Sequence, residues 1–190
     1  LVIDCLKAAG AQFHARKQER MAAEVSLECA REMANLEQWE DAIEVLKPFW
    51  ENDAFRSEGW VDISEELSWL VRRVAVGAGQ ADLVVAADWE LMNNSRWPNL
   101  QDGTCTDFSA EFARRPQWHY DITKSLEGVS IQTNPSISLS DDKSGSFVSA
   151  SFVFRNKESK AGETCTAQLA LTSHTFLDAV PITLDSLKIE

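Results

Sequence analysis

Ala30-Arg31-Glu32-Met33-Ala34-Asn35-Leu36-Glu37-Gln38-Trp39-Glu40-Asp41-Ala42-Ile43-Glu44-Val45-Leu46 decides the fold of this chain. Asn35 to Gln38 interrupts an otherwise helical pattern, with small residues at Ala30 and Ala42 on either side and the large Trp39 directly after the break. The mechanism is steric: methyl side chains let two helices approach closely, and the indole closes the turn between them. Upstream, Met21, Val25 and Cys29 recur at every fourth position, and Ala22, Ala30 and Met33 widen the apolar face; Glu24, Glu28 and Glu32 form the stripe beside it. Downstream, Ala42, Ile43, Leu46, Phe49 and Trp50 share one side, and Pro48 predicts a kink or an end near Lys47, because an interior proline removes a backbone donor and crowds the preceding turn.

Further along, Ile63, Leu67, Leu70, Val71 and Val74 predict a third helix with Gly77 and Gly79 as its stop. A fourth runs from about Gln80 to Asn93, with Val84, Ala87 and Leu91 on one face and Trp89 on the flank. Connections of a few residues make antiparallel, stacked hairpins the economical arrangement. The periodicity then fails: Pro98, Gly103, Thr104, Thr106 and Pro116 punctuate residues 95–127, which read as linker or insertion with at most a short helix from Phe108 to Arg114.

After Gly128 the period changes to two. Val148, Ala150, Phe152 and Phe154 alternate with Ser149, Ser151 and Val153, and Cys165, Ala167, Leu169 and Leu171 with Thr164, Thr166, Gln168 and Thr172, which predicts two half-buried antiparallel strands. Turn residues lie at Asp141 to Gly145 and Asn156 to Gly162, and weaker strands are signalled at Ile137 with Leu139 and at Leu187 with Ile189. The expected fold is α+β and multidomain: residues 1–94 form a helical solenoid, 95–127 a linker, and 128–190 the first strands of an immunoglobulin-like β-sandwich. The chain opens inside a helix and stops inside a strand, so it is expected to be a fragment, with neither domain complete.

Composition narrows the function. The 190 residues carry a formal charge of -12, and residues 19 to 66 hold 14 Asp/Glu against four Lys/Arg, about -10 for that segment. Such a surface repels phosphate backbones and anionic headgroups, so neither nucleic acid nor anionic lipid is an expected ligand. No run approaches the roughly 20 apolar residues of a membrane helix, and Leu1 to Leu6 is too short for a signal peptide, so a cytosolic protein without membrane insertion is expected. Cys5, Cys29, Cys105 and Cys165 lie far apart and read as free thiols.

Chemistry is expected to be absent. The chain has only eight glycines and no phosphate-cradling loop, and no histidine lies between His14 and His119 to complete a di-metal site with the helical carboxylates. His119 with Asp121, and Cys105 with Asp107, are base and nucleophile types in the least regular segment and read as polar linker residues. A carbohydrate module would need paired acids and aromatics on the strands, but residues 128–190 contain no Trp or Tyr, and Asp141 and Asp142 sit in a turn. Trp39, Trp50, Trp60, Trp69 and Trp89 are expected to fill the layers between helices, with one or two indoles left for a partner. A non-catalytic chain with no cofactor, no metal and no small-molecule substrate is expected, and the sequence singles out no partner-binding residue.

The stretch from Ala30 to Leu46 resembles a tetratricopeptide unit, in which small residues and a turn aromatic stand at these intervals. Together with Lys17-Gln18-Glu19-Arg20-Met21 before it and Arg56-Ser57-Glu58-Gly59-Trp60 after it, it is similar to the foie gras domain of the transport protein particle (TRAPP) complex subunit 11 family. The sequence departs from that family's aromatic pair at Met33-Ala34 and from a second aromatic at Val61. The resemblance implies a scaffold subunit of a vesicle-tethering, Rab-activating complex in endoplasmic reticulum-to-Golgi transport, with links to autophagy. Its partners would be the other TRAPP subunits, and its location cytoplasmic and peripheral at the Golgi and the ER-Golgi intermediate compartment. The resemblance assigns no functional residue. In the second motif Gly59 is expected to permit a tight approach and Trp60 to begin the third helix. The alternative is an independent tetratricopeptide adaptor, for which a block near -10 suggests a basic or apolar peptide ligand.

Overall fold

A computed structural model describes residues 1–52, 55, 58–93, 124–129, 135, 147–158, 160–175, 179–183 and 185–186. Among them are five helices, α1 (Val2–Ala15), α2 (Glu19–Asn35), α3 (Trp39–Trp50), α4 (Val61–Ala78) and α5 (Ala81–Leu91), followed by an antiparallel pair of strands, β1 (Val148–Phe154) and β2 (Ala167–Ser173). The chain is thus mixed α+β.

One backbone device is used four times. The amides of Gln18, Gln38, Trp60 and Gln80 donate to the carbonyls of Phe13, Met33, Phe55 and Ala75, at 3.0, 2.9, 3.0 and 2.9 Å. In each case the preceding residue is left-handed: Lys17, Glu37, Gly59 and Gly79 have φ of 58°, 59°, 75° and 70°. This six-to-one closure satisfies a helix-end carbonyl and turns the chain within three residues. A β-carbon is disfavoured at positive φ, yet Lys17 and Glu37 accept it, so glycine marks only the later two turns.

Each helix packs on its successor, and α2 also reaches α4 across α3. The core between them holds Leu27, Ala30 and Met33 of α2, Ala42 and Leu46 of α3, Phe55, and the expected face of α4, all fully or nearly buried. Ala30 and Ala42 are both 0% exposed, in keeping with their steric role. Met21 departs from its expected place in the apolar face; at 42% exposure it stands at the stripe's edge, and Ala23 and Leu27 are buried instead.

Two expectations about helix ends are corrected. α3 runs through Pro48 to Trp50, and the Lys47 carbonyl still accepts the Glu51 amide at 2.9 Å. Pro48 costs the Glu44 carbonyl its amide donor, yet the helix runs on past the expected end. Gly77 does not stop α4, which ends at Ala78 with Gly79 as its left-handed cap. Gly77 instead admits the Trp39 ring: a β-carbon there would lie 2.6 Å from Cε2 and Cε3 of the indole. Gly77→Ala is therefore expected to lose about 1 to 3 kcal/mol in chemical denaturation despite alanine's better helix propensity. A neutral or stabilising result would mean that the ring moves aside freely.

In the sheet, Ala150 faces Leu171, Phe152 faces Leu169 and Phe154 faces Ala167, so the alternating apolar residues meet across the pair. They are not half-buried as expected. Phe152, Phe154 and Leu171 are 50%, 56% and 43% exposed, because among the described residues no second layer covers that face of the two strands. The weaker strand signals at Ile137, Leu139, Leu187 and Ile189 lie outside the described residues.

The two halves of the chain touch. Val129 packs on buried Ala75 and Val84 with Leu126 alongside, and Phe147, 2% exposed, stacks on Trp89 with ring centres 4.2 Å apart. Residues 124–129 thereby cover the outer side of α4 and α5, including an ion pair in which half-buried Arg72 donates from Nε to buried Asp88 Oδ1 at 2.6 Å. Arg72 Nη2 also donates to the Ser125 carbonyl at 3.4 Å.

Candidate partner-docking groove

Where α1 and α3 lie on either side of α2, a depression of about 400 Å³ opens over α2, lined by Leu6, Gly10, Ala22, Val45 and Phe49 among others. Small side chains on α1 and α2 make its floor, and the larger ones of α1 and α3 its walls. A second depression of about 410 Å³ is lined by the α1–α2 turn, Lys17 to Met21, together with Phe55, Glu58 and Trp60. Glu19 and Asn52 line both, so the two form one groove.

The two short motifs that flank the first hairpin in the sequence thus meet in space. The closure of Gln18 on Phe13 presents Lys17 to Met21, and that of Trp60 on Phe55 presents Glu58 and Trp60. Gly59 eases a positive φ and serves no tight approach, since a β-carbon there would meet nothing within 4 Å. Trp60 precedes α4 as its cap residue and stacks on Phe55 with ring centres 5.1 Å apart. Arg56 and Ser57 lie outside the described residues. Phe55, 2% exposed, carries no signal in the sequence, because it stands alone between turn residues with no periodic partner.

Charge around the groove is unevenly committed. His14 Nδ1 lies 3.2 Å from Glu19 Oε2, and Arg20 Nε donates to Glu24 at 3.1 Å. Arg31 donates to Glu28 at 2.7 Å and is paired with Glu66, and Lys47 lies 3.7 Å from Glu51. Lys7, Arg16 and Lys17 make no ion pair among the described residues, and Lys7 and Lys17 line the groove. At the floor, burial pushes the Cys29 thiol above its ordinary pKa, with the Lys7 charge opposing, so it stays protonated and unreactive at neutral pH.

Of the tryptophans, Trp39, Trp50, Trp60, Trp69 and Trp89 are all half-buried, with Trp39, Trp50 and Trp60 against the helical core. Trp60 alone of the five lines the groove. Cys5, Cys29 and Cys165 are free thiols. Cys105, Asp107, His119, Asp121, Asp141, Asp142, Trp97 and Trp118 lie outside the described residues. Among the described residues no three His, Cys, Asp or Glu side chains gather as a metal site would require, and no helix is long and apolar enough to cross a membrane.

Residues 1–94, the five helices and the groove with them, match the family model described as Foie gras liver health family 1. No curated protein and no solved structure matches the chain.

Proposed function

Residues 1–94 belong to the foie gras family, and from that premise we propose that the chain serves as a non-catalytic scaffold in a TRAPP-type vesicle-tethering complex acting between the endoplasmic reticulum and the Golgi. The family match carries this reading. In it the helices continue as a tetratricopeptide-like solenoid, and the β1–β2 hairpin belongs to an immunoglobulin-like sandwich whose interior takes up the apolar face of Phe152, Phe154 and Leu171. The protein works in the cytoplasm, peripheral to Golgi membranes, and its partners are the other subunits of the complex. Neither nucleic acid nor a small-molecule substrate has a place in this role.

Affinity purification of the protein from cells tests the proposal. Recovery of the small core subunits of the complex is expected, and their absence under gentle lysis would sink it. The open groove supports a second reading, an independent tetratricopeptide adaptor holding a partner peptide. That reading gains if a single soluble client is recovered without the core subunits.

A further inference from the structure

We infer that the groove over α2 takes an apolar segment of a partner protein that carries acidic residues beside its apolar side chains. The inference deepens the scaffold reading by naming the chemistry of one docking partner, and it rests on that reading only in that docking is the chain's task. The groove has the character of a helix or peptide seat. Gly10 faces Ser26 at ordinary packing distance, where an added β-carbon would sit 3.6 Å from Oγ, so α1 and α2 meet along small side chains in the lining. Leu6 and Phe49 rise on either side, and exposed Met21 with half-buried Trp60 continues the apolar lining at the far end. Flexible Met and flat Trp surfaces of this kind commonly carry the binding energy at partner sites.

Placement of charge selects the ligand. The block's overall negative charge suggests a basic peptide, but the groove lining points the other way. Its acids are Glu19, held by His14, and Glu58 at the far end; its cations are Lys7, Lys17 and Arg20, of which only Arg20 is paired among the described residues. A basic segment would therefore meet two like charges on the α1 side, whereas an acidic one meets two cations there. Arg16 and Lys17 follow the end of α1, where cations also favour the helix dipole. Lys7 is in the middle of that helix, so the dipole does not account for it. The acidic excess of residues 19 to 66 disfavours an acidic segment on the rest of that block, which favours settling beside these cations.

Panning a phage-displayed library of random peptides against the 190-residue chain tests this directly. The expected consensus has an apolar centre flanked by Asp or Glu. Its recovery should fall about tenfold on the double reversal Lys7→Glu/Lys17→Glu, at two exposed positions, and similarly at roughly 1 M salt, where the Debye length is about 3 Å. Ala11→Trp, at an exposed position in the groove lining, should abolish it by filling the seat while the circular dichroism melt stays unchanged. A basic consensus, enrichment indifferent to these variants, or no enrichment at all would overturn the inference. Loss of core-subunit co-purification with peptide capture intact would instead remove the scaffold reading and leave this one standing.

Discussion

Replacing Arg72 by Met is expected to lower the unfolding free energy by about 3 to 5 kcal/mol, because it strands a buried carboxylate. Asp88 is only 2% exposed, and its one ion-pair partner among the described residues is Arg72, whose side chain is itself 16% exposed. Adding Asp88→Leu to the Arg72→Met variant removes the stranded charge and should recover most of the loss, the non-additivity that identifies a coupled pair in urea melts. Two independent, additive losses would show that the contact carries no coupling.

The sign of the pH dependence follows from the same burial. Desolvation raises the Asp88 pKa above its ordinary value, with Arg72 and the Ser125 hydroxyl pulling against it. A carboxyl whose folded pKa is raised contributes stability that is fully present below the unfolded value of about 3.9 and is lost as pH rises through the folded value. Without Arg72 the largest opposing influence is gone, so the folded pKa rises further and the loss at neutral pH grows. The Arg72→Met deficit should accordingly shrink in acid, where Asp88 is neutral in both proteins. A deficit that is constant from pH 4 to pH 7 would contradict this account.

Phe55→Ala is expected to cost about 3 to 5 kcal/mol, the range for emptying a buried aromatic site. Phe55 is 2% exposed between Phe49, with ring centres 5.9 Å apart, and Trp60 at 5.1 Å, and its carbonyl closes the turn into α4. The loss should appear both in the melting temperature and as a red shift of indole emission, since Trp60 loses the ring on which it stacks. Phe55→Leu keeps an apolar side chain in the site and should lose less. If Phe55→Ala melts within a degree of the parent, the residue is not the keystone of this turn.

How far the fold could be read from the chain depends on the range of the interaction. The α4 face was legible because Ile63, Leu67, Leu70, Val71 and Val74 repeat at helical spacing, and all five are buried. The strand pairing was legible for the same reason at period two, and the register matches Phe152 with Leu169. Contacts between distant segments were not. Gly77 reads as a stop until Trp39, on another helix, is seen to occupy the space beside it. Nothing in the local pattern marks Arg72 and Asp88 as a pair, since residues 124–129, which fold back over α4 and α5, are distant in the chain. The candidate groove was half legible: both motifs could be picked out, but their meeting depends on turns closed through left-handed Lys17 and Gly59.

That fold-back has a consequence for synthesis. Helices that pack on their immediate successors form from local contacts, so the array can assemble as it leaves the ribosome. The residues that cover Ala75 and Val84 emerge later. Between the end of α5 and Val129 lie about 40 residues, which at the usual 5 to 20 residues per second leaves that apolar side bare for about 2 to 8 s. During each round of translation, nascent α4 and α5 offer chaperones a surface that the finished protein conceals.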